Sequence, residues 1–508
     1  MKRLAQIQRF LITAALVLCT MVLGYLAVSH LFETSHLYAG HVPEGVSLRG
    51  DNLLLTLPAT AVLIAMLLVV YHLCEKKRSK KLLAVLAVVG TVASAAFLTG
   101  ACTTQIYDFQ YVIEAAQLFA RGNYKPMEVD YFHIYSYQLG FCLPMEVLLR
   151  LLPELDINRF MQAVNVALNF ASAGMMALLC AELTGDARTG RMTMVMSFFF
   201  LPMLLFPVYV YGTVPMIFCS VTALWGFARY LRTRKTMYGL LWSVMIAAAY
   251  VLKPNAAVPM IAMAICAVLD AMQSRDLKAV GFALLGAALG IVMLKLIVFQ
   301  YEIRSGVKLT GDLSALARLV MGFCGGGGAP GWYNGYTDKF LPLDVTAEME
   351  REMAMADLKE VAAAFAAEPG SLLRFLREKL LTQWLEPTNG CLWYGNLNGQ
   401  HGPLAALAAP VYTQGSVLRA VLEGYMNVFQ QTLYLLSLAG VIRLLKERRS
   451  AGSLALPLIL LGGVMYHLIF EAKSSYSYTY VFLLMPLAAQ GLRMLSQLVC
   501  GAWAKYKG

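Results

Sequence analysis

The sequence has few charged residues and no cysteine or histidine pattern typical of a metal site. Only 14% of its 508 residues are Asp, Glu, Lys or Arg, whereas 59% are hydrophobic. The ten cysteines stand singly without a C-x-x-C pair, the seven histidines are scattered, and the loops contain no D-x-D. This composition excludes an ordinary soluble enzyme. We expect no cofactor, and the sequence gives no support to a divalent metal.

Long apolar runs dominate the chain instead. A transmembrane helix needs about 20 apolar residues, and twelve runs approach or reach that length. The sequence therefore predicts an all-α polytopic membrane protein, with about twelve transmembrane helices and with extracytoplasmic surface helices and loops. The runs are 10–32, 52–74, 82–100, 159–182, 192–211, 214–231, 237–252, 255–271, 277–299, 424–443, 453–470 and 478–498.

The basic residues predict the direction of these helices. The formal net charge is +11, and membrane proteins keep Lys and Arg in cytoplasmic loops, so we expect membrane lipids rather than nucleic acid as the partner of this charge. Segments such as EKKRSKK (75–81) and RYLRTRK (229–235) are then cytoplasmic. We expect a multi-pass protein of the cell membrane with both termini in the cytoplasm and the active site on the outer side. The short outer connections then keep only Arg49, Lys253 and Lys473.

Two regions leave the span count open. The run 139–152 is short and contains Pro144, Glu146 and Arg150, and a crossing there would invert every later loop; we interpret it as an outer surface or re-entrant helix. The runs 237–252 and 255–271 are also short.

Five regions follow from this count. They are three N-terminal transmembrane helices (1–100), a first large outer loop (101–158), a six-helix core (159–299), a long outer region (300–423), and three C-terminal helices with a cytoplasmic tail (424–508).

One acid stands alone just beyond the third apolar run. Asp108 lies in TTQIYDFQYVIEAA (103–116), at the beginning of an expected surface helix. One interpretation is a helix N-cap, since Asp accepts hydrogen bonds from the unpaired N–H groups there. The other is a general base acting on a hydroxyl group, with tyrosine and glutamine side chains around it. The residues alone leave both interpretations open.

A series of short motifs extends from about residue 100 to residue 490. They are the acid of the first outer loop, YFHIYSYQLGF (131–141), the Lys-Pro pair at 253–254, GWYN (331–334) and EAKSSYSYTYVFLLMP (471–486). In this order, and on one side of the membrane, they resemble the GT-C superfamily of polytopic glycosyltransferases. The resemblance is greatest to bacterial members of glycosyltransferase family 39, which are related to protein O-mannosyltransferases and lipid A aminoarabinose transferases.

Two motifs depart from that family. Relatives often have Tyr-Pro-x-Gln where this chain has YSYQ (135–138), and an Arg before the tyrosine where this chain has Ser475 and Tyr476. The second departure leaves the cation that binds the donor phosphate open.

The resemblance implies a GT-C-like fold and a glycosyltransferase. Such an enzyme moves a monosaccharide from a polyprenyl-phosphate donor, of the undecaprenyl-phosphate type, to a hydroxyl acceptor at the outer face of the membrane, with inversion. A lipid-linked donor is expected because nucleotide sugars are absent outside the cell. Asp108 matches the loop acid and would act as the general base. The acceptor is a polymer, a glycolipid or a protein, and the sugar stays open.

Three cations are candidates for binding the donor phosphate: Lys473, Lys253 and Arg304. Lys473 stands in a short outer loop, but an ion pair with Glu471 or a lipid headgroup also explains it. Lys253 stands at a helix break, where an unpartnered charge is costly and where snorkelling is the alternative. Arg304 is a candidate because it stands at the outer end of a predicted span.

The remaining candidate residues are substrate contacts. Each of three candidates also has a simpler interpretation than substrate binding. Asp130 is then a turn or cap residue, His133 is a hydrogen-bonded surface group, and Tyr211 belongs to an aromatic belt at the membrane interface. The glycine run 325–328 matches no phosphate loop and is interpreted as part of a loop that closes over substrate. The candidates are Tyr107, Asp130, Tyr131, His133, Gln138, Tyr211, Trp332, Asn334, Glu471 and Tyr476.

Two other classes of protein stay open. Twelve spans with both ends inside are also typical of transporters and of lipid or polysaccharide flippases, although few acids lie within the spans and no internal repeat is visible. A non-catalytic subunit of an envelope-assembly complex is the other alternative.

Overall fold

The protein is described by a computed structural model, which covers residues 2–38, 44–75, 78–309, 312–324, 328–342, 345–393, 401–447 and 451–507. Residues 325–327 of the predicted closing loop lie outside these ranges.

The described chain is almost entirely helical. In order, its helices are α1 (Lys2–Phe32), α2 (Leu53–Leu73), α3 (Arg78–Ala101), α4 (Tyr107–Ala120), α5 (Tyr131–Ile134), α6 (Leu139–Leu151), α7 (Ile157–Thr184), α8 (Ala187–Phe199), α9 (Leu201–Leu205), α10 (Thr213–Thr233), α11 (Thr236–Leu252), α12 (Ala257–Ser274), α13 (Lys278–Ser305), α14 (Ala315–Phe323), α15 (Ala347–Ala367), α16 (Ser371–Trp384), α17 (Ala405–Tyr412), α18 (Val417–Glu447), α19 (Ala455–Ile469), α20 (Ser474–Leu483) and α21 (Met485–Lys507).

The membrane helices agree with the apolar runs. Within the described ranges, nine helices are long and apolar enough to cross a bilayer, and two bent pairs bring the number to eleven. One pair is α8 with the segment Leu201–Val208, bent by 66°; the other is α20 with α21, bent by 47°. The one remaining predicted run, 237–252, falls on α11, which has 17 residues and is short for a span. The protein is therefore a multi-pass membrane protein, and the count of twelve stays a prediction.

Helix α6 occupies the region that had left the topology open. It has 13 residues, includes Pro144 and packs against α4. At a rise of about 1.5 Å per residue it is about 20 Å long, less than the hydrocarbon thickness of about 30 Å. It therefore does not cross the membrane as a single helix.

A β-hairpin connects α1 to α2, so the prediction of an all-α chain was wrong at this point. Strands β1 (Glu33–Tyr38) and β2 (Gly45–Gly50) pair antiparallel, with Glu33 opposite Gly50 and Tyr38 opposite Gly45. Each strand has only six residues and lies beside an apolar run, so the helical pattern hides it. The hairpin is held by its neighbours: Ser35 N–H donates to the Leu385 carbonyl at 3.1 Å, and Arg377 makes an ion pair with Glu33 at 2.7 Å.

The break between α8 and α10 is stabilised by amide side chains. Backbone groups that leave a helix inside a membrane need other partners. Helix α7 supplies them: Asn169 Nδ2 donates to the Met203 carbonyl at 3.0 Å, and Asn165 Nδ2 to the Tyr209 carbonyl at 2.7 Å. From the connection between α3 and α4, Gln105 Nε2 donates to the Val208 carbonyl at 2.8 Å. The break is thereby fixed, and it leads directly into Tyr211.

Helices α18 and α21 approach each other closely at two glycines. A Cβ on Gly491 would lie 1.9 Å from the Leu436 carbonyl oxygen, and a Cβ on Gly440 would lie 2.1 Å from the Leu487 carbonyl oxygen. Small residues allow such close approach between membrane helices.

We therefore expect Gly491→Ala to destabilise the protein. The added methyl group must push the two backbones apart, which costs about 1–3 kcal/mol in the free energy of unfolding. Thermal unfolding of the purified chain in detergent measures this as a lower midpoint temperature. The matched control is Gly424→Ala in the partner helix α18, where a Cβ would have no atom within 4 Å. Equal losses in both variants would contradict this account of the helix contact.

Candidate active site

A cavity of about 450 Å³ opens at one end of the membrane helices. Most of its polar lining comes from helix breaks and from the segments that connect helices. Aromatic rings line much of the rest. Its charged lining residues are Glu44, Asp108, Asp130, Lys253, Arg318, Asp338, Glu471 and Lys473.

Asp108 lies in the first turn of α4 and faces this cavity. The N-cap position is Ile106, which has an extended backbone and makes no side-chain cap. Asp108 is therefore not the N-cap of α4. It lies in the first turn, where a carboxylate still interacts favourably with the helix dipole. The preceding residue, Tyr107, has φ +50°, a left-handed conformation that costs a bulky residue about 1 kcal/mol or more. This backbone turn directs α4 away from α3 at the cavity.

The Asp108 carboxylate is uncommitted. Over the residues that the structure describes, no side chain or backbone group donates a hydrogen bond to it, and the surface that it exposes belongs to the cavity. Enclosure by protein raises the pKa of Asp108 above its ordinary value. The positive charges of Lys473 and Lys253 oppose this shift, and Glu44 adds to it. Asp108 is thus a stronger base than a carboxylate in water, and its lone pairs are free to accept a proton.

Lys473 lies between carboxylates. Its Nζ is 2.6 Å from Glu44 Oε1, and Glu471 is two residues away in the same connection between α19 and α20. Enclosure lowers the pKa of Lys473, but Glu44, Glu471 and Asp108 outweigh this and hold the pKa above its ordinary value. Lys473 therefore stays positively charged in the cavity.

Glu471 is the second acid beside Lys473. It accepts a hydrogen bond from the Tyr476 hydroxyl at 3.1 Å, and its main-chain carbonyl accepts one from His467 Nδ1 at 2.9 Å. Enclosure raises the pKa of Glu471 to about 7, although Lys473 and Tyr476 act in the opposite direction. Near neutral pH this carboxyl group is close to half protonated.

Lys253 enters the cavity from the break between α11 and α12. Its Nζ donates to Thr213 Oγ1 at 2.6 Å and lies over two rings, 4.7 Å from the centroid of Tyr211 and 5.6 Å from that of Tyr476. Enclosure lowers the pKa of Lys253 to about 7; Lys473 lowers it further, while Asp108 and Glu471 raise it. An anion entering the cavity would restore its full charge.

Tyrosine rings make up a large part of the cavity lining. The rings of Tyr111 and Tyr131 stack with centroids 5.1 Å apart, and the Arg318 guanidinium lies 5.5 Å from the centroid of Tyr137. Trp332 is buried and donates from Nε1 to Thr382 Oγ1 at 3.1 Å. Flat, rigid rings with polar edges suit a ligand that has both apolar faces and hydroxyl groups.

The structure brings most of the candidate residues to this one cavity. Those that line it are Tyr107, Asp108, Asp130, Tyr131, Tyr211, Lys253, Trp332, Glu471, Lys473 and Tyr476. Gln138 lies behind them and donates to the Tyr211 hydroxyl, so it orients a lining residue. Their roles in binding or catalysis stay predictions.

Three candidates lie elsewhere. Arg304 makes an ion pair with the buried Glu146 at 2.7 Å, in a cluster with Tyr301 and Arg150. His133 is buried and its Nε2 is 3.2 Å from the Met127 carbonyl oxygen. Asn334 stabilises a turn, since its Nδ2 donates to the carbonyls of Met321 and Cys324 at 3.2 and 3.3 Å. The side chains of all three residues are therefore engaged in ion pairs or hydrogen bonds outside the cavity.

Sequence reasoning missed several lining residues, among them Arg318, His467 and Glu44. Arg318 lies in the long outer region 300–423, which contains many other basic residues, so the argument that singled out Lys473 in a short loop does not apply to it. His467 is an ionisable residue inside a span, which is a signal in its own right. Glu44 reaches the cavity through the hairpin, which the helical pattern did not predict.

Among the described residues, no three His, Cys, Asp or Glu side chains are grouped so that they could hold a metal ion. The Glu44 carboxylate is in an ion pair with Lys473.

Comparisons with known proteins add little. No protein-family model matches this chain, and no curated protein matches it. A similar solved structure is the archaeal oligosaccharyltransferase AglB from Archaeoglobus fulgidus, in complex with an inhibitory peptide and a dolichol-phosphate. The identity is 11%, the TM-score is 0.42, and the match covers 85% of this chain. The chain spans about half of that protein, 52% of its length, and a likeness of this size fixes neither fold nor activity.

The Glu146 cluster predicts a structural role for Arg304. We expect Arg304→Gln to lower the free energy of unfolding by about 1–3 kcal/mol, because a buried carboxylate loses a charged donor while keeping Arg150. Thermal unfolding in detergent measures the change. Arg121→Gln, at an exposed position that ends α4, is the control. Unchanged stability in Arg304→Gln would contradict the role.

Proposed function

We propose that the cavity is the active site of a membrane glycosyltransferase of the GT-C type. In this proposal it transfers a monosaccharide from a polyprenyl-phosphate donor to a hydroxyl acceptor at the outer face of the cell membrane. The observation that carries the proposal is one uncommitted carboxylate, Asp108, in a cavity that also holds Lys473 and Lys253. The alternatives of a transporter or a flippase do not require a base of this kind.

The two lysines suit the phosphate of the donor. Both ammonium groups are enclosed, where attraction to an anion is less screened than in water. Glu44 now neutralises Lys473, and an incoming phosphate would compete with this carboxylate for the same ammonium group. Lys253 has no carboxylate in direct contact among the described residues, so a phosphate would supply its counter-charge.

The aromatic lining suits the sugar. A pyranose ring presents apolar C–H faces and hydroxyl edges, and tyrosines such as Tyr131 and Tyr211 offer ring faces and hydroxyl groups. Trp332 adds a further ring surface. The cavity volume also agrees with a small ligand, since ligand pockets have about 300–1,000 Å³.

Asp108 is proposed as the general base. As the acceptor oxygen attacks the anomeric carbon, its proton passes to the Asp108 carboxylate. A bond forms between this oxygen and the anomeric carbon on the face opposite the phosphate, and the bond from that carbon to the phosphate oxygen breaks. The electron pair leaves with the polyprenyl phosphate, so the configuration inverts. Lys473 and Lys253 stabilise the charge that develops on the phosphate.

Replacing the base tests this assignment. We expect Asp108→Asn to reduce the rate of sugar transfer by about 10²–10⁴-fold, the usual contribution of a general base, with little change in thermal stability. The measurement uses vesicles that contain the purified protein and a polyprenyl-phosphate sugar. Glu114→Gln on the exposed side of α4 is the control. Full transfer by the Asp108 variant would remove this residue from the mechanism.

The pH dependence tests the role of Lys253. Its pKa is lowered to about 7, so its charge is present below pH 7 and is lost as the pH rises. We expect kcat/KM, which reports the free enzyme, to decline above about pH 7. On the acid side it should decline as Asp108 becomes protonated, at a pH above the ordinary pKa of Asp.

Lys253→Arg isolates the alkaline limb. A guanidinium keeps its charge at all accessible pH values, so the decline should move to higher pH. Lys125→Arg, an exposed substitution outside the cavity, should leave both limbs in place. An alkaline limb that does not move in Lys253→Arg would show that another group controls it.

A further inference from the structure

A second, basic cavity lies at the other end of the membrane helices. It has a volume of about 480 Å³ and forms where the end of α2 meets the beginning of α8 and the middle of α21. Helix α2 has 21 residues, so its two ends are about 30 Å apart. Glu44, which lines the candidate active site, lies in the hairpin that precedes the first residue of α2, whereas Tyr71 and Glu75 of the second cavity lie at the last residues of α2 and just after them. The two cavities are therefore on opposite sides of the membrane. The lining residues used below are Tyr71, Glu75, Asp186, Arg188, Arg191 and Arg493.

Two of the three arginines are fixed in place by backbone and ring contacts. Arg188 Nε donates to the Tyr71 carbonyl at 2.8 Å, and its guanidinium lies 4.0 Å from the centroid of the Tyr71 ring. Arg191 Nε donates to the Cys74 carbonyl at 2.7 Å. Each contact uses only part of a guanidinium, which has five N–H donors. The remaining donors are therefore held in a defined orientation.

These arginines are short of negative charge. Elsewhere at this end, close carboxylates neutralise arginines: Glu182 lies 2.9 Å from both Arg229 and Arg232, and Asp270 lies 2.7 Å from Arg234.

In the cavity, Glu75 is 3.7 Å from Arg188, and Asp186 is 3.4 Å from Arg493. Among the described residues, Arg191 has no ion pair, and Nη1 of Arg493, the atom that lies 3.4 Å from Asp186, makes no hydrogen bond. Buried donors normally make a hydrogen bond.

We propose that this cavity binds the phosphate of an anionic phospholipid headgroup. Guanidinium groups match the oxygen geometry of a phosphate. The cavity lies where transmembrane helices end, at headgroup depth, and basic pockets between such helices recognise acidic lipids. Lys80 and Lys81, in the first turn of α3, add positive charge at the same end of the helices.

Native mass spectrometry of the full chain in detergent tests this proposal. The probe is dioleoylphosphatidylglycerol, with dioleoylphosphatidylcholine and inorganic phosphate as separate arms. We expect the wild type to retain phosphatidylglycerol, and the double substitution Arg191→Gln with Arg493→Gln to bind it at least about tenfold more weakly. The control is Lys235→Gln with Arg275→Gln, which removes the same formal charge at exposed positions on the same end.

Three results would overturn the proposal: equal lipid affinity in the two double variants, equal retention of phosphatidylcholine, or inorganic phosphate binding as tightly as the lipid. If the double variant does not fold, Arg191→Gln alone keeps the test, since it leaves the ion pairs of Arg188 and Arg493 in place. Its affinity should still be below that of the control. None of these readouts depends on sugar transfer.

Discussion

An enclosed charge needs an opposite charge or water, and the candidate active site is arranged around this requirement. Asp108, Glu471 and Glu44 surround Lys473. Enclosure raises the pKa of Asp108 and of Glu471, whereas the nearby carboxylates hold the pKa of Lys473 above its ordinary value against the effect of enclosure. The result is a positively charged lysine, an acid that titrates near neutrality and a carboxylate, Asp108, that accepts no hydrogen bond from the part of the chain that the structure describes. Because Lys473 is already paired with Glu44, the proposed donor phosphate would have to take the place of this carboxylate.

Breaks in the membrane helices bring these groups to one place. The break before α10 delivers Tyr211, the break between α11 and α12 delivers Lys253, and the connection between α19 and α20 delivers Glu471 and Lys473. Irregular backbone at membrane depth is tolerated where side chains satisfy it, and the amides of α7 do so with the carbonyls of residues 203–209. Polar residues inside a span, which weaken its apolar pattern, are thus what makes the site geometrically possible.

The sequence predicts the helical membrane architecture and part of the site for physical reasons. Apolar runs set the helices because length and hydropathy are local properties, and a cation in a loop that otherwise avoids basic residues indicates Lys473. The hairpin and Glu44 were not predictable in this way, since two six-residue strands leave no strong period. Arg304 was misleading: its position near a helix end resembles that of Lys473, and only the three-dimensional contact with Glu146 distinguishes the two. Whether Asp108 is a cap or a base also depended on the backbone at Ile106 and Tyr107.

The central claim is that the cavity binds a lipid-linked sugar with its phosphate at Lys473 and Lys253 and its anomeric carbon facing Asp108. A structure of the full chain with a non-hydrolysable polyprenyl-phosphate sugar analogue tests this most directly. The account predicts phosphate oxygens within hydrogen-bond distance of the Lys473 ammonium, Glu44 displaced from it, and the Asp108 carboxylate on the side of the anomeric carbon opposite the phosphate. A phosphate bound away from both lysines, or an Asp108 carboxylate on the same side as the phosphate, would contradict it.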